Sequence, residues 1–387
     1  MTAPRRVDLF ASFLRLGLTA FGGPAIVPYI RVLAVDRRRW ISDKEFARGV
    51  ALCQSIPGTT ALQVAAYTGL RARGAGAALA CYAGLGLPAF VLMLGLSAAY
   101  QRFGELGPIV SIMTGLKVVV VALIAYAALD FTRKTIVGVR DALLASAVAA
   151  FLIAGGSPAV GILISMLVAA LVYRDHPHQP PAADGDSGPS GRVRRQVPAI
   201  STALLLALGL TLLALFSHSL FDLAALMSKV GALAFGGGYG LVPLILHEVV
   251  TVEGWMSTET LMDGIALGQV TPGPIFITAT FIGYHLQGLP GALVATAAIF
   301  TPPLAILFAT ARSLDWLERS PTIQRALRGA LVSFAGLLAA TTYFFALAAP
   351  WSGPAVLLAL GGFGALVAGV DMLWVVLAGG SLAAFLL

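Results

Sequence analysis

Four stretches of this chain set helix-breaking Gly and Pro inside otherwise apolar sequence: FGGP at Phe21 to Pro24, QSIPG at Gln54 to Gly58, FGGG at Phe235 to Gly238, and QVTPG at Gln269 to Gly273. A helix that starts at such a break presents backbone N–H groups without intrahelical acceptors and about half a positive elementary charge in its first turn. That is chemistry for an anion, held without any formal charge. Gly22, Gly23, Pro24, Pro57, Gly58, Gly236, Gly237, Gly238, Pro272 and Gly273 make the breaks: Pro fits a first helical turn, and Gly lets a ligand approach the backbone. Gln54, Gln269, Thr59, Thr60 and Thr271 add neutral hydrogen-bonding groups. Arg15 and Lys229 stand at matching places upstream of two of the breaks, in apolar surroundings. A cation at the bilayer centre costs ~2.5–3.5 kcal/mol on insertion scales, so it normally faces a cavity or a partner. Two such cations beside four positive helix ends suit a small dianion, and Lys117 is a third candidate without a counterpart. The competing readings are close helix packing for the breaks, and for Arg15 and Lys229 either snorkelling to the interface or pairing with Asp8 and Asp222.

The elements that must position these residues are membrane helices. The chain is 58% hydrophobic and 11% charged, with a mean hydropathy of +0.89, whereas ordinary soluble domains are ~25% charged. Several apolar runs approach or exceed the ~20 residues that span a hydrocarbon core of ~30 Å, and they do not alternate as barrel strands would. Cys53 and Cys81 lie in apolar segments and imply no disulfide framework. Nothing at the start resembles a cleavable signal, so the first apolar segment is expected to direct insertion. The formal charge of +7 is placed for topology rather than for nucleic acid. No His/Cys/Glu grouping has the spacing of a metal or catalytic site, so neither an enzyme nor a bound cofactor is expected. His218, His247 and His285 read as interfacial, Cys53 as packing, and Glu248, Glu253, Glu259 and Asp263 as a solvated outer loop. Asp130, near a span end, is the one acid that suggests itself for proton coupling.

The breaks belong to an internal repeat. Trp40, Ser42, Gly49, Gln54, Pro57 and Gly58 find Trp255, Ser257, Gly264, Gln269, Pro272 and Gly273 at an offset of 215, and Asp8, Arg15 and Gly17 find Asp222, Lys229 and Gly231 at 214. Each interrupted segment is either a kinked crossing or a re-entrant hairpin. With four re-entrant segments and the N-terminus inside, Arg102 alone of the 25 basic residues falls outside, Arg15, Lys117 and Lys229 lie within the membrane, and the rest face the cytoplasm. Full crossings would push whole basic clusters outside, against the positive-inside tendency. Loop 31–48 carries six basic residues, whereas its counterpart 246–263 carries none. Opposite charge at matched positions predicts inverted repeats. The expected fold is thus an all-α polytopic membrane protein. Its repeats, 1–173 and 217–387, each hold two re-entrant or broken helical hairpins plus about four membrane-spanning helices. A Pro/Gly/Asp/Ser-rich cytoplasmic linker, 174–198, and one extra helix, 199–216, join them.

The paired FGGP and FGGGYGLVP motifs, the W-x-S after each, and Q-x-x-P-G at Gln54 to Gly58 and Gln269 to Gly273 resemble the chromate ion transporter family in its long, two-repeat form. The resemblance covers nearly the whole chain. It implies export of chromate across a bacterial inner membrane, giving chromate resistance, with sulfate as the close structural analogue. It also carries the family's motif onto Phe21 to Pro24, Gln54, Pro57, Gly58, Phe235 to Gly238, Gln269, Pro272 and Gly273. Gly238 departs from the pattern set by Pro24, so the two hairpins are expected to differ in shape. The partners implied are a small oxyanion and the lipid bilayer, and apolar outer faces are compatible with a homodimer. An oxyanion importer and an anion channel are the alternative functions.

Overall fold

The computed structural model describes residues 4–19, 26–104, 106–173, 199–311 and 320–386, which are helical throughout apart from turns and caps. The first half runs through α1 (Arg6–Thr19), α2 (Ile26–Arg31), α3 (Asp43–Ser55), α4 (Thr60–Arg73), α5 (Ala75–Phe103), α6 (Gly107–Thr135), α7 (Val139–Ile153) and α8 (Pro158–Val172). After α9 (Ala199–Phe216) the second half runs through α10 (His218–Leu233), α11 (Leu241–Ile245), α12 (Thr258–Val270), α13 (Thr278–Thr310), α14 (Pro321–Ala348), α15 (Gly353–Val367) and α16 (Met372–Leu386). The break at Phe21 to Pro24 and the linker 174–198 lie outside the described residues.

The sequence repeat is a repeat of local structure. A wide helical turn with i→i+5 bonding follows α2 at Val32–Arg37 and α11 at Leu246–Val252. It closes in the same way twice, by Trp40 N–H to Ala34 O at 2.8 Å and Trp255 N–H to Val249 O at 2.9 Å. Two residues later Ser42 caps α3 by accepting from the Glu45 N–H, and Ser257 caps α12 by accepting from the Thr260 N–H. The W-x-S motif is therefore the end of one turn and the N-cap of the next helix, where a serine oxygen satisfies an orphan N–H. Gly74 (φ +85°), between α4 and α5, matches Gly288 (φ +61°), which kinks α13.

Contacts between the halves are exchanged, as a pseudo-two-fold relation demands. A side-chain carbon on Gly115 of α6 would fall on Ala383 of α16, and one on Gly329 of α14 would fall on Ala169 of α8. The pair α7–α8 thus packs on α14 of the other half, and α15–α16 packs on α6. Small residues let these helices touch where no hydrophobic effect drives them together in lipid.

Four helices are long and apolar enough to cross a membrane, two from each half: Ala75–Phe103, Ile109–Thr135, Ile275–Thr310 and Pro321–Ala348. The helices α7, α8, α15 and α16 have 15 residues each. At 1.5 Å per residue that is about 22 Å, short of a ~30 Å core. The expectation of about four full spans per repeat is corrected to two long helices and two short ones. The chain is a multi-pass membrane protein. Replacing Gly329 by Ala would set a carbon 2.3 Å from Ser165 O and is expected to lower stability by about 1–3 kcal/mol through overpacking. Gly361→Ala, where a carbon would meet nothing within 4 Å, should be neutral or slightly stabilising; thermal unfolding of the purified variants compares the two.

Candidate functional site

The break between α3 and α4 meets the break between α10 and α11 across the halves. Gly58 N–H donates to Ala234 O at 2.8 Å, and Thr60 Oγ1 lies 4.0 Å from where a side chain on Gly237 would begin. The break between α12 and α13 joins them, because Gly238 lies against Ile275. Three of the four predicted breaks therefore lie together, and the fourth falls outside the described residues.

Gly58 and Gly273 occupy the same position in the two halves, with φ of +121° and +127°. Both values favour glycine, and both sites are crowded. A side-chain carbon on Gly58 would sit 2.5 Å from the Pro303 Cβ, and one on Gly273 2.8 Å from the Ala89 Cβ. Each second break is thus clamped against a long helix of the opposite half, α13 or α5. Gln63, one turn into α4 and fully buried, fixes the first of them by donating from Nε2 to Pro57 O at 2.7 Å and to Pro303 O at 3.3 Å. Sequence reasoning missed Gln63; the available signal was an amide inside an apolar helix, a residue that enters such a place only to hold backbone.

The region retains unused hydrogen-bonding capacity. Thr59 flanks the start of α4 without making a capping bond, and its buried Oγ1 has no partner, nor do Gln63 Oε1 and Gln269 Nε2. A buried polar atom left unpaired costs about 1–3 kcal/mol, so these atoms are suited to a polar ligand, Thr59 Oγ1 above all because it stands at the positive end of a 14-residue helix. Pro57, Pro272 and Thr271 are buried beside them, with Thr271 Oγ1 donating to Gly268 O at 2.8 Å; Gly236 and Gly237 are partly accessible, and Gln54 is exposed at the end of α3.

The three cations have separate fates. Lys229 Nζ lies 2.7 Å from both carboxylate oxygens of Glu248, not beside Asp222. Lys117 Nζ lies 3.3 Å from Asp263 Oδ2, which also accepts from Tyr100 Oη at 2.8 Å. Reading Glu248 and Asp263 as part of a solvated loop was wrong, since their side chains are 7% and 4% exposed; Glu253 and Glu259 are exposed as expected. An acid within an apolar run such as ILHEVV was the signal for Glu248. Asp130 instead pairs with Lys134 one turn away on the surface. Arg15 makes no ion pair among the described residues; it lines an open cleft with Arg37 and Arg38.

A helical membrane protein of two matched halves, whose Gly/Pro breaks meet across the halves, fits a transporter. A protein-family comparison matches residues 7–173 and 221–384 to the chromate transporter family, one block for each half. The chain is 40% identical over 374 residues to an uncharacterised transporter of Methanocaldococcus jannaschii, covering 97% of this chain and 92% of that one. It is 34% identical over 300 residues to a chromate transport protein of Cupriavidus metallidurans, covering 76% and 71%. A chromate transport protein of Pseudomonas aeruginosa is 30% identical over 350 residues, covering 87% and 80%. No solved structure matches the chain. This chain belongs to the chromate transporter family.

The Lys117–Asp263 pair joins α6 of one half to α12 of the other, with side chains 18% and 4% exposed. Asp263→Leu, which leaves a largely buried ammonium unpaired, should cost about 3–5 kcal/mol, and the double change Lys117→Met/Asp263→Leu should restore most of it. Denaturation of the unsubstituted protein and the two variants in detergent measures the recovery.

Proposed function

We propose that the protein exports chromate across a bacterial inner membrane by alternating access, with the dianion held where the breaks of the two halves meet. The observation that carries this reading is the junction of Gly58 with Ala234, beside the unpartnered Thr59 Oγ1 at the start of α4. There a tetrahedral oxyanion receives backbone N–H groups, a hydroxyl and the positive helix end together. Membership of the chromate transporter family and similarity to the chromate transport proteins of Cupriavidus metallidurans and Pseudomonas aeruginosa support chromate as the substrate. Sulfate, a tetrahedral dianion of similar size, is the natural competitor.

In this mechanism Gly58, Thr59, Gly237, Gly238, Thr271 and Gly273 form the contact surface, and Gln63 and Gln269 orient it. The repeats are inverted and the interrupted segments re-entrant, so that rocking one half against the other opens the site to alternate sides. The N-terminus and the linker 174–198 face the cytoplasm. Moving a dianion out of a cell that is negative inside is downhill by ~2.3 kcal/mol per charge per 100 mV, so membrane potential alone can drive export. In a proton-exchanging form, Asp263, buried with Oδ1 unpartnered, is the group placed to carry the proton.

Chromate uptake into inside-out vesicles tests the reading. Uptake should persist with a potential and no pH gradient, and total dependence on the pH gradient rejects potential-driven uniport. Thr59→Val keeps the shape and removes the hydroxyl, and should lower chromate flux about tenfold, the equivalent of one hydrogen bond. Unchanged flux in that variant rejects α4 as the binding element.

A further inference from the structure

The two halves treat one location in opposite ways. In the second half, Lys229 is neutralised by Glu248 from the wide turn after α11. In the first half the position of Glu248 is held by Leu33, and the positions of Val252 and Glu253 are held by Arg37 and Arg38. The result is a cleft of about 420 Å³ lined by Arg15, Arg37, Arg38, Ser12, Thr19 and Tyr29. Three guanidinium groups share it, and none of them makes an ion pair among the described residues. The nearby acids are engaged elsewhere: Arg31 binds Asp36 at 3.2 Å and Asp43 at 2.8 Å.

Arginine presents a planar fork of donors that matches the oxygens of phosphate-like groups, and a basic pocket between membrane helices is a recurrent site for anionic headgroups. The rim fits that environment. Leu18 and Tyr29 are 55% and 57% exposed and Val32 is 39% exposed, which places apolar and aromatic surface beside the charges, as at a membrane–water interface.

We propose that Arg15, Arg37 and Arg38 form a second anion site, sharing no lining residue with the Gly58–Ala234 junction, that takes a phosphate-like oxyanion group at the membrane surface. The apolar rim favours the headgroup of an anionic phospholipid over a free oxyanion. The site exists in one half only, because replacement of an acid by Leu33 leaves Arg15 unneutralised while the adjacent turn supplies two more cations.

The test is binding to the full chain, purified in neutral detergent, of three soluble probes: dihexanoyl-phosphatidylglycerol, dihexanoyl-phosphatidylcholine and inorganic sulfate. Phosphatidylglycerol should bind and phosphatidylcholine should not. The exposed double change Arg37→Gln/Arg38→Gln should weaken binding at least tenfold. Leu33→Glu, which restores to the first half the acid found in the second, should do the same with every arginine intact, whereas Lys229→Gln should leave affinity unchanged. Thermal unfolding without ligand checks that each variant is folded, and the Arg37→Gln/Arg38→Gln result stands if Leu33→Glu is not. Arginine-dependent binding of phosphatidylglycerol without sulfate identifies a lipid headgroup, and arginine-dependent binding of sulfate identifies a free oxyanion. If neither anion binds, or if binding is indifferent to Arg37 and Arg38, or if phosphatidylcholine binds as well as phosphatidylglycerol, the proposal is overturned.

Discussion

A backbone N–H or C=O inside a hydrocarbon layer must find a partner, because no water is present to supply one. This constraint shapes the centre of the molecule. Helices broken at Gly and Pro expose backbone groups, and the breaks of one half are met by the other: Gly58 donates to Ala234, and Gln63 reaches from α4 to Pro57 and Pro303. The mutual clamp of Gly58 on α13 and Gly273 on α5 fixes the halves against each other at the same depth in the chain. What the clamp leaves unsatisfied, chiefly Thr59 Oγ1 and the start of α4, is the capacity available to a ligand. The structural joint and the unused hydrogen-bonding capacity thus arise from one arrangement.

Charge breaks the symmetry that the backbone keeps. The second half supplies two buried acids, Glu248 and Asp263, and each holds a cation, the first within its own half and the second across to α6. The first half supplies Leu33 and Arg48 at those positions. Isolated charges of this kind are costly to bury, and pairing is how membrane helices tolerate them. Arg15 is the cation left over, and it opens onto a cleft rather than into the packed interior. Corresponding backbone turns, at Val32–Arg37 and Leu246–Val252, therefore sit in opposite electrostatic surroundings.

The repeat was legible in the sequence because its signals are backbone signals. Gly, Pro, Trp-x-Ser and their spacing dictate turns and caps whatever surrounds them, so the N-caps at Ser42 and Ser257 and the helix start after Pro57-Gly58 follow from residue type. Pairing was not legible. Lys117 and Asp263 are far apart in the chain, and only the packing of α6 on α12 makes them neighbours. Counting the acids of 246–263 as loop residues failed for a related reason: the wide turn at Leu246–Val252 folds Glu248 inward, and α12 begins at Thr258, which carries Asp263 into the core. The short helices α7, α8, α15 and α16 stop at 15 residues each because Gly and Pro turns interrupt the apolar sequence around them.

The most direct measurement is the location of a bound oxyanion in the protein, by anomalous scattering from chromate or selenate in crystals or by difference density in an ion-loaded particle reconstruction. The account predicts a single strong feature within hydrogen-bonding distance of Thr59 Oγ1 and the first N–H groups of α4, facing Gly237. A feature bound elsewhere, with the junction of the breaks empty at saturating ion, would contradict it.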